Sequence, residues 1–197
     1  IMSWLVSLLI ICICGTAWGE EVIKLSIDGQ APHVAMDSQS NIVLLWENGN
    51  GIYLREYDFH GNPLIDAVTV CENETYDGCK ALAINDNGEA LVGWVSGPFD
   101  IGIKAQCFSS DCVPLADSFQ ASRLYLDYIY DLDVSLDGEL AYIAYNRTNG
   151  GEFVYRTYTK DGIQVGEEIQ ISEDFTAVGC GVGDLNIEVF EGNPVIA

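Results

Sequence analysis

At 197 residues, 49% of them hydrophobic, the chain is long and apolar enough to bury a core, which excludes a disordered chain despite its net charge of −22. Eight Lys or Arg stand against 30 Asp or Glu, a balance that excludes nucleic acid and anionic membrane surfaces as partners. Such a surface suits a soluble extracellular protein.

The chain begins with an uncharged apolar stretch over residues 4–14, from Trp4 to Cys14. It is too short to span a bilayer as a helix but has the length of the apolar region of a secretory signal. Ala17-Trp18-Gly19 fits the small-x-small pattern of a cleavage site, and Glu20-Glu21 opens the polar sequence. Residues 1–19 therefore read as a signal peptide, and the protein as secreted, with no membrane insertion after cleavage.

Internal repeats decide the fold class. Pro32-His33-Val34-Ala35-Met36-Asp37 leads into Asn41-Ile42-Val43-Leu44-Leu45-Trp46. Ala81-Leu82-Ala83-Ile84-Asn85 leads into Glu89-Ala90-Leu91-Val92-Gly93-Trp94, and Asp131-Leu132-Asp133-Val134-Ser135 into Leu140-Ala141-Tyr142-Ile143-Ala144-Tyr145. A fourth copy starts at Asp184-Leu185-Asn186-Ile187. A second register agrees: the aromatic positions Tyr57, Phe108 and Tyr158 lie 51 and 50 residues apart. Each repeat reads as four short strands, in the first at roughly 33–37, 41–47, 52–59 and 65–71, joined by turns rich in Asp, Asn and Gly. The second strand is apolar on both faces and must be covered on both sides. No stretch shows a sustained helical period.

A four-stranded unit of about 50 residues, covered on both faces, is a blade stacked between two others. The expected fold is thus all-β, an incomplete β-propeller; a β-sandwich of the same strands is the alternative, disfavoured because sandwich strands need not repeat in register. The expected division is 1–19 signal peptide, 20–31 an N-terminal strand closing a last blade absent from this sequence, 32–80 blade 1, 81–130 blade 2, 131–183 blade 3, and 184–197 the start of a truncated blade 4.

The pattern Pro-x-Val-Ala-Met-Asp, an Asn-led apolar run ending in Trp46, and Gly51-Ile52-Tyr53-x-Arg55-x-Tyr57-Asp58-x-x-Gly61-Asn62-Pro63 resembles a family of bacterial secreted repeat proteins. These carry tandem D-x-x-G-[ND] units followed by an apolar run and Trp. The resemblance covers about two thirds of the chain outside the signal, is best over 32–64, and implies a β-propeller-like fold. It carries over no catalytic residues. The cysteines and the Asn-x-Thr sequons depart from the bacterial pattern.

Those departures carry the remaining expectations. In an exported chain disulfides are the default, and Cys71 with Cys79 and Cys107 with Cys112 each flank a loop or turn. Cys180 is left over, its partner expected beyond residue 197. Asn73 and Asn146 head sequons and are expected glycosylation sites. No Cys-x-x-Cys pair supports zinc, and His33 and His60 have no matching nucleophile in the other repeats. Carboxylates are too plentiful for any pair to stand out as a glycosidase pair. The turn acids Asp37, Asp86 and Asp137 recur because Asp favours turns; calcium there would need several oxygen ligands in one loop, and no EF-hand-like spacing occurs.

No catalytic, cofactor or metal residue is therefore assigned. Arg55, Gln106 and Arg156 recur at one position, and Trp46, Trp94 and Tyr145 at another. They suit either a ligand-lining ring or packing between blades, and repetition in every blade favours packing. The breaks in the repeat are where a binding surface is expected; the Tyr-rich Leu124–Tyr130 among them suits either an interface anchor or a buried loop between blades. The function expected is a recognition or adhesion scaffold for an extracellular protein or carbohydrate, the alternative a secreted hydrolase whose catalytic residues lie beyond residue 197.

Glu20-Glu21-Val22-Ile23-Lys24-Leu25-Ser26 resembles Glu167-Glu168-Ile169-Gln170-Ile171-Ser172, which closes the third repeat. As a strand lent to a last blade it hides the edges left at closure. Deleting residues 20–28 from the full-length protein is expected to lower its melting temperature sharply and to leave that of this 197-residue chain nearly unchanged. Equal effects would refute closure.

Overall fold

The computed structural model describes residues 7–10, 23–26, 29–49, 51–72, 75–97, 102–122, 129, 131–147, 152–172, 185–190 and 192–196. Every regular element among them is a β-strand. Strand β1 (Ser7–Ile10) pairs antiparallel with β2 (Ile23–Ser26). The segment expected to close a last blade is thus a strand, but its ladder partner lies inside the stretch read as the signal peptide.

Three four-stranded antiparallel sheets come next along the chain, each in simple up-and-down order. The first holds β3 (Gln30–Met36), β4 (Ile42–Asn48), β5 (Gly51–Tyr57) and β6 (Val68–Glu72). The second holds β7 (Thr75–Ile84), β8 (Ala90–Ser96), β9 (Gly102–Phe108) and the short β10 (Phe119–Gln120). The third holds β11 (Leu132–Asp137), β12 (Leu140–Arg147), β13 (Glu152–Thr159) and β14 (Gln164–Ser172). A hairpin of β15 (Ile187–Phe190) and β16 (Asn193–Ile196) begins a fourth unit. The four-strand plan read from the repeats is present. β7 starts at Thr75, ahead of residue 81, with an irregular register before Lys80.

The sheets stack face to face because their second strands carry apolar side chains on both sides. Val43, Leu45, Ile52 and Leu54 of the first sheet pack on Ala90, Val92, Trp94 and Phe108 of the second. Leu91, Val95, Ile103 and Ala105 on its other side pack on Ala141, Ile143, Tyr145 and Tyr158 of the third. Tyr142 and Ala144 then meet Leu185 and Ile187 of the fourth unit. Successive first strands, β3, β7, β11 and β15, lie beside one another, with the fourth strands outermost. Among the described residues equivalent four-stranded sheets follow one another, each packed on the next, unlike the two sheets of a sandwich.

The hairpin turns share one design. In five of them the first residue's N–H donates to the carbonyl four residues on, and its own carbonyl accepts from the residue three on: Asp37/Ser40/Asn41, Asp58/Gly61/Asn62, Asn85/Gly88/Glu89, Ser109/Cys112/Val113 and Thr159/Gly162/Ile163. The third-on residue takes a left-handed conformation each time, from φ 53 at Cys112 to φ 85 at Gly162. The leading side chain caps the turn. Asp37 Oδ1 accepts from the amides of Gln39 and Asn41, Asp58 Oδ1 from His60 and Asn62, and Asn85 Oδ1 from Asn87 and Glu89. This is the physical content of the Asp-x-x-Gly-Asn pattern, complete at Asp58–Asn62 and partial in the other turns: a short polar side chain mimics a backbone turn, and glycine tolerates positive φ.

Gly162 adds a packing constraint. A Cβ there would lie 2.6 Å from the ring of Phe119 in the second sheet, whereas at Gly166 (φ +76) nothing lies within 4 Å. Gly162→Ala is expected to destabilise by about 2 kcal/mol or more, and Gly166→Ala by about 1 kcal/mol, since only the first adds a clash to the backbone strain. Urea unfolding midpoints of the two variants measure the difference.

Candidate functional site

The recurring polar residues brace each blade from within. Arg55 Nε donates to the carbonyl of Ile65 at 2.9 Å, and Gln106 Nε2 to the equivalent carbonyl of Ala116 at 2.9 Å. Arg55 also lies over the Tyr57 ring. Arg156 instead meets Glu168 at 2.7 Å, and Tyr145 hydroxyl donates to the same carboxylate at 3.0 Å. Arg55 and Gln106 tie the third strand to the segment leading into the fourth, and Arg156 ties it to the fourth strand itself. Trp46, Trp94 and Tyr145 are buried; Trp46 stacks on Tyr53, and Trp94 Nε1 has no hydrogen-bond partner.

Charged groups converge at the seams between sheets. Lys80 on β7 has a fully buried side chain and pairs with Glu47 of the first sheet at 2.6 Å. His33 on β3 lies beside them; burial and then the Lys80 charge hold its imidazole below its ordinary pKa, with Glu47 opposing. At the seam between the third and fourth units, Asp131 Oδ2 accepts the amide of Leu185 at 2.6 Å and Asp133 Oδ2 that of Ile187 at 2.7 Å. Burial raises the pKa of Asp133, opposed by amide donors from Ile187 and Val134. Here carboxylates on one inner strand satisfy the backbone donors of the next.

At the turn end, Lys160 Nζ meets Glu89 at 2.8 Å and Glu139 at 3.1 Å. Burial works against both charges, yet their hydrogen bonds prevail, holding Glu89 below and Lys160 above its ordinary value. The seam between the first and second sheets has Ser110 where the next has Lys160, by the Phe108–Tyr158 register. There the buried Glu56 faces Asp37 and Asp111. Burial, then those two charges, push its pKa up.

The expected Cys107–Cys112 disulfide is not formed. Both thiols are free and buried, and they lie on opposite faces of the second sheet: Cys107 in the core shared with the third sheet, Cys112 in the core shared with the first. A turn between two cysteines does not bring them together when strand alternation sends their side chains apart. Burial pushes each thiol up to about 12, and at Cys112 the charges of Glu56 and Asp111 add to it. Cys112 occupies the left-handed turn position that Gly61 and Gly162 fill elsewhere. Cys71 is buried in the core shared by the first two sheets; the side chain of Cys79 falls outside the described residues, as does Cys180.

Asn146 is also placed differently from expectation. It lies within β12, is 5% exposed, and its Oδ1 accepts the amide of Asp131 at 3.1 Å. A glycan on this side chain has no room in the folded chain. Asn73 falls outside the described residues, and so does most of the Tyr-rich segment, whose Ile129 is buried. His60 is exposed, its ring against that of Phe59, and does not join His33. Among the described residues no three His, Cys, Asp or Glu side chains converge so as to hold a metal ion, and no helix is long and apolar enough to cross a membrane.

No protein-family model matches the chain, and no curated protein does. Among solved structures it is similar to an α-L-arabinofuranosidase from Clostridium thermocellum, a five-bladed β-propeller. The TM-score is 0.52 at 13% identity, over 94% of this chain and 74% of that one. The architecture is β-propeller-like. At this identity the likeness speaks for the fold and not for the activity. The sequence reading missed the seam residues Glu47, Glu56, Lys80 and Lys160, because a lone charge in an apolar strand carries no label of its partner. The Asp-Leu-Asp-Val alternation at 131–134 was the one visible hint, since it puts two carboxylates on one side of an otherwise buried strand.

Glu56 generates a pH-dependent prediction. Its folded pKa is raised, so the folded state holds the proton more tightly and stability falls as pH rises from the ordinary Glu value of 4.5 through the raised one. Glu56→Gln removes that slope. The variant is expected to match the unaltered chain at acid pH and to melt higher at neutral pH; equal melting temperatures at neutral pH would contradict the assignment.

Proposed function

We propose that the chain forms consecutive blades of an exported, ring-shaped recognition module that binds an extracellular protein or carbohydrate without turnover and without a cofactor. The observation that carries this reading is the occupation of the repeated polar groups. Arg55 and Gln106 both grip a backbone carbonyl, Arg156 grips Glu168, and Asp131 and Asp133 are taken up by backbone amides of the next blade. Each of these groups holds a partner inside the fold.

Closure into a ring belongs to the same proposal. Ile42, Leu44, Trp46 and Tyr57 cover the side of the first sheet turned away from the second. They are the repeat equivalents of Ala90, Val92, Trp94 and Phe108, which pack on the preceding sheet. They are buried here, and in the ring a last blade is the face that packs on them. Export rests on the apolar stretch 4–14 and the net charge of −22. Kinship with the bacterial secreted repeat proteins is part of the proposal too, resting on the Asp-x-x-Gly-Asn turns.

A second reading is a glycoside hydrolase, favoured by the activity named for the structural neighbour. The full-length protein separates the two. The recognition reading predicts saturable binding on an array of extracellular glycans and proteins, and no release of sugar from aryl arabinofuranosides or other aryl glycosides. Sustained release abolished by a single carboxylate-to-amide change would replace it with the hydrolase.

A further inference from the structure

The exposed large apolar side chains fall into distinct sets. Val34 and Met36 lie on the first sheet's inner strand, and Phe190 and Val195 on the incomplete fourth unit, the two ends of the stack. Ile169 and Ile171 lie on β14, the outer strand of the third sheet. The remaining six are Phe59, Leu64, Val113, Leu115, Ile163 and Val165, on the connections between third and fourth strands or, for Val165, at the start of β14. These connections emerge from the same end of each sheet as the turns between first and second strands. The inter-blade contacts of that end, Lys160 with Glu89 and Ser38 with the carbonyl of Asp86, place the turns of successive blades side by side.

The repeats serve as their own comparison. In the register of Tyr57, Phe108 and Tyr158, most exposed turn positions have diverged freely: Phe59, Ser110 and Lys160 are equivalent, as are His60, Asp111 and Asp161. Two exposed positions have not. Leu64, Leu115 and Val165 are aliphatic in all three blades, at 50%, 45% and 42% exposure. Two residues on, Asp66, Asp117 and Glu167 are acidic in all three, and exposed. The amides of Leu64 and Leu115 donate to the equivalent carbonyls of Glu56 and Cys107, so the backbone poses match. Packing does not explain an aliphatic side chain kept half in water in every blade; scattered single exposures are normal, repeated ones at one edge mark a contact surface.

We propose that this turn-side edge, with one aliphatic–acidic pair per blade, docks a cationic amphipathic polypeptide segment of a partner protein. The proposal rests on the recognition reading and names its surface and partner. Charge selects the occupant. A second copy of this chain would set carboxylate against carboxylate, and an anionic membrane or nucleic acid would be repelled. Lys80, Arg156 and Lys160 are already in ion pairs, so they do not neutralise the edge. A segment alternating apolar and basic side chains meets both members of each pair, and several blades engage it together.

The test uses this chain and a synthetic peptide of alternating leucine and lysine, with a companion in which serine replaces every leucine. Binding is read by fluorescence anisotropy. One variant carries Leu64→Ser, Leu115→Ser and Val165→Ser together, the other Asp66→Asn, Asp117→Asn and Glu167→Gln. Each is expected to weaken the leucine–lysine peptide by about tenfold or more, with the melting temperature unchanged because all six side chains are exposed. The companion should be weakened by the second variant alone. Unchanged affinity of both variants for the leucine–lysine peptide overturns the docking surface and leaves ligand binding elsewhere intact. Self-association lost in the first variant overturns it in favour of a second copy. Glycoside turnover, by contrast, bears on the recognition reading and not on this peptide.

Discussion

The second strand of each sheet, buried on both faces, is the constraint on which the rest of the structure depends. Ile42, Leu44 and Trp46 point one way from β4, Val43 and Leu45 the other, and all five are buried. Sealing each such side chain from water stabilises by about 1.5–3 kcal/mol. No single sheet can collect that, because a lone sheet leaves both faces wet. Stacking collects it on both faces at once. The four-strand meander is the smallest unit that presents such a strand, flanked by ladder partners, to a neighbour on either side.

Polar groups close the seams where apolar packing runs out, and each seam does so differently. The first has Lys80 on Glu47, the second Lys160 on Glu89, and the third the carboxylates of Asp131 and Asp133 on backbone amides. Removing one partner of a buried ion pair costs about 3–5 kcal/mol, because the other charge is left behind. Such pairs fix which blade follows which, while the interchangeable aliphatic cores set only the spacing. Glu56 is the exception. It is a buried carboxylate facing two others, and burial and those charges raise its pKa.

Much of this was legible in the sequence because repetition averages out local ambiguity. The aromatic register at Tyr57, Phe108 and Tyr158 and the doubly apolar runs fixed the strand plan, and the Asp-x-x-x-Asn and Asp-x-x-Gly-Asn turns appear where they were read. Arg55 and Gln106, read as packing between blades, instead bond to equivalent carbonyls within their own blades. What failed depended on the direction of individual side chains. Cys107 and Cys112 are close along the chain but face opposite cores. Asn146 sits in a sequon that looks loop-like, yet it continues β12 and turns inward to Asp131. Register errors of one residue reverse such assignments, and neither sequon nor spacing encodes the register. The partner of each buried charge was illegible for a related reason: Lys80 and Glu47 are 33 positions apart and meet only once the sheets stack.

Gly93 permits the most direct test of stacking. It lies on β8, and a Cβ there would sit 2.9 Å from Val134 Cγ1 on β11 of the next sheet. Gly93→Val drives a wedge into that seam and touches no ladder within the third sheet. Native-state hydrogen exchange, read amide by amide, is the measurement. Face-to-face stacking predicts that protection falls in β11 and β12 as well as in β8. Loss confined to β8 and its ladder partners β7 and β9 would contradict it.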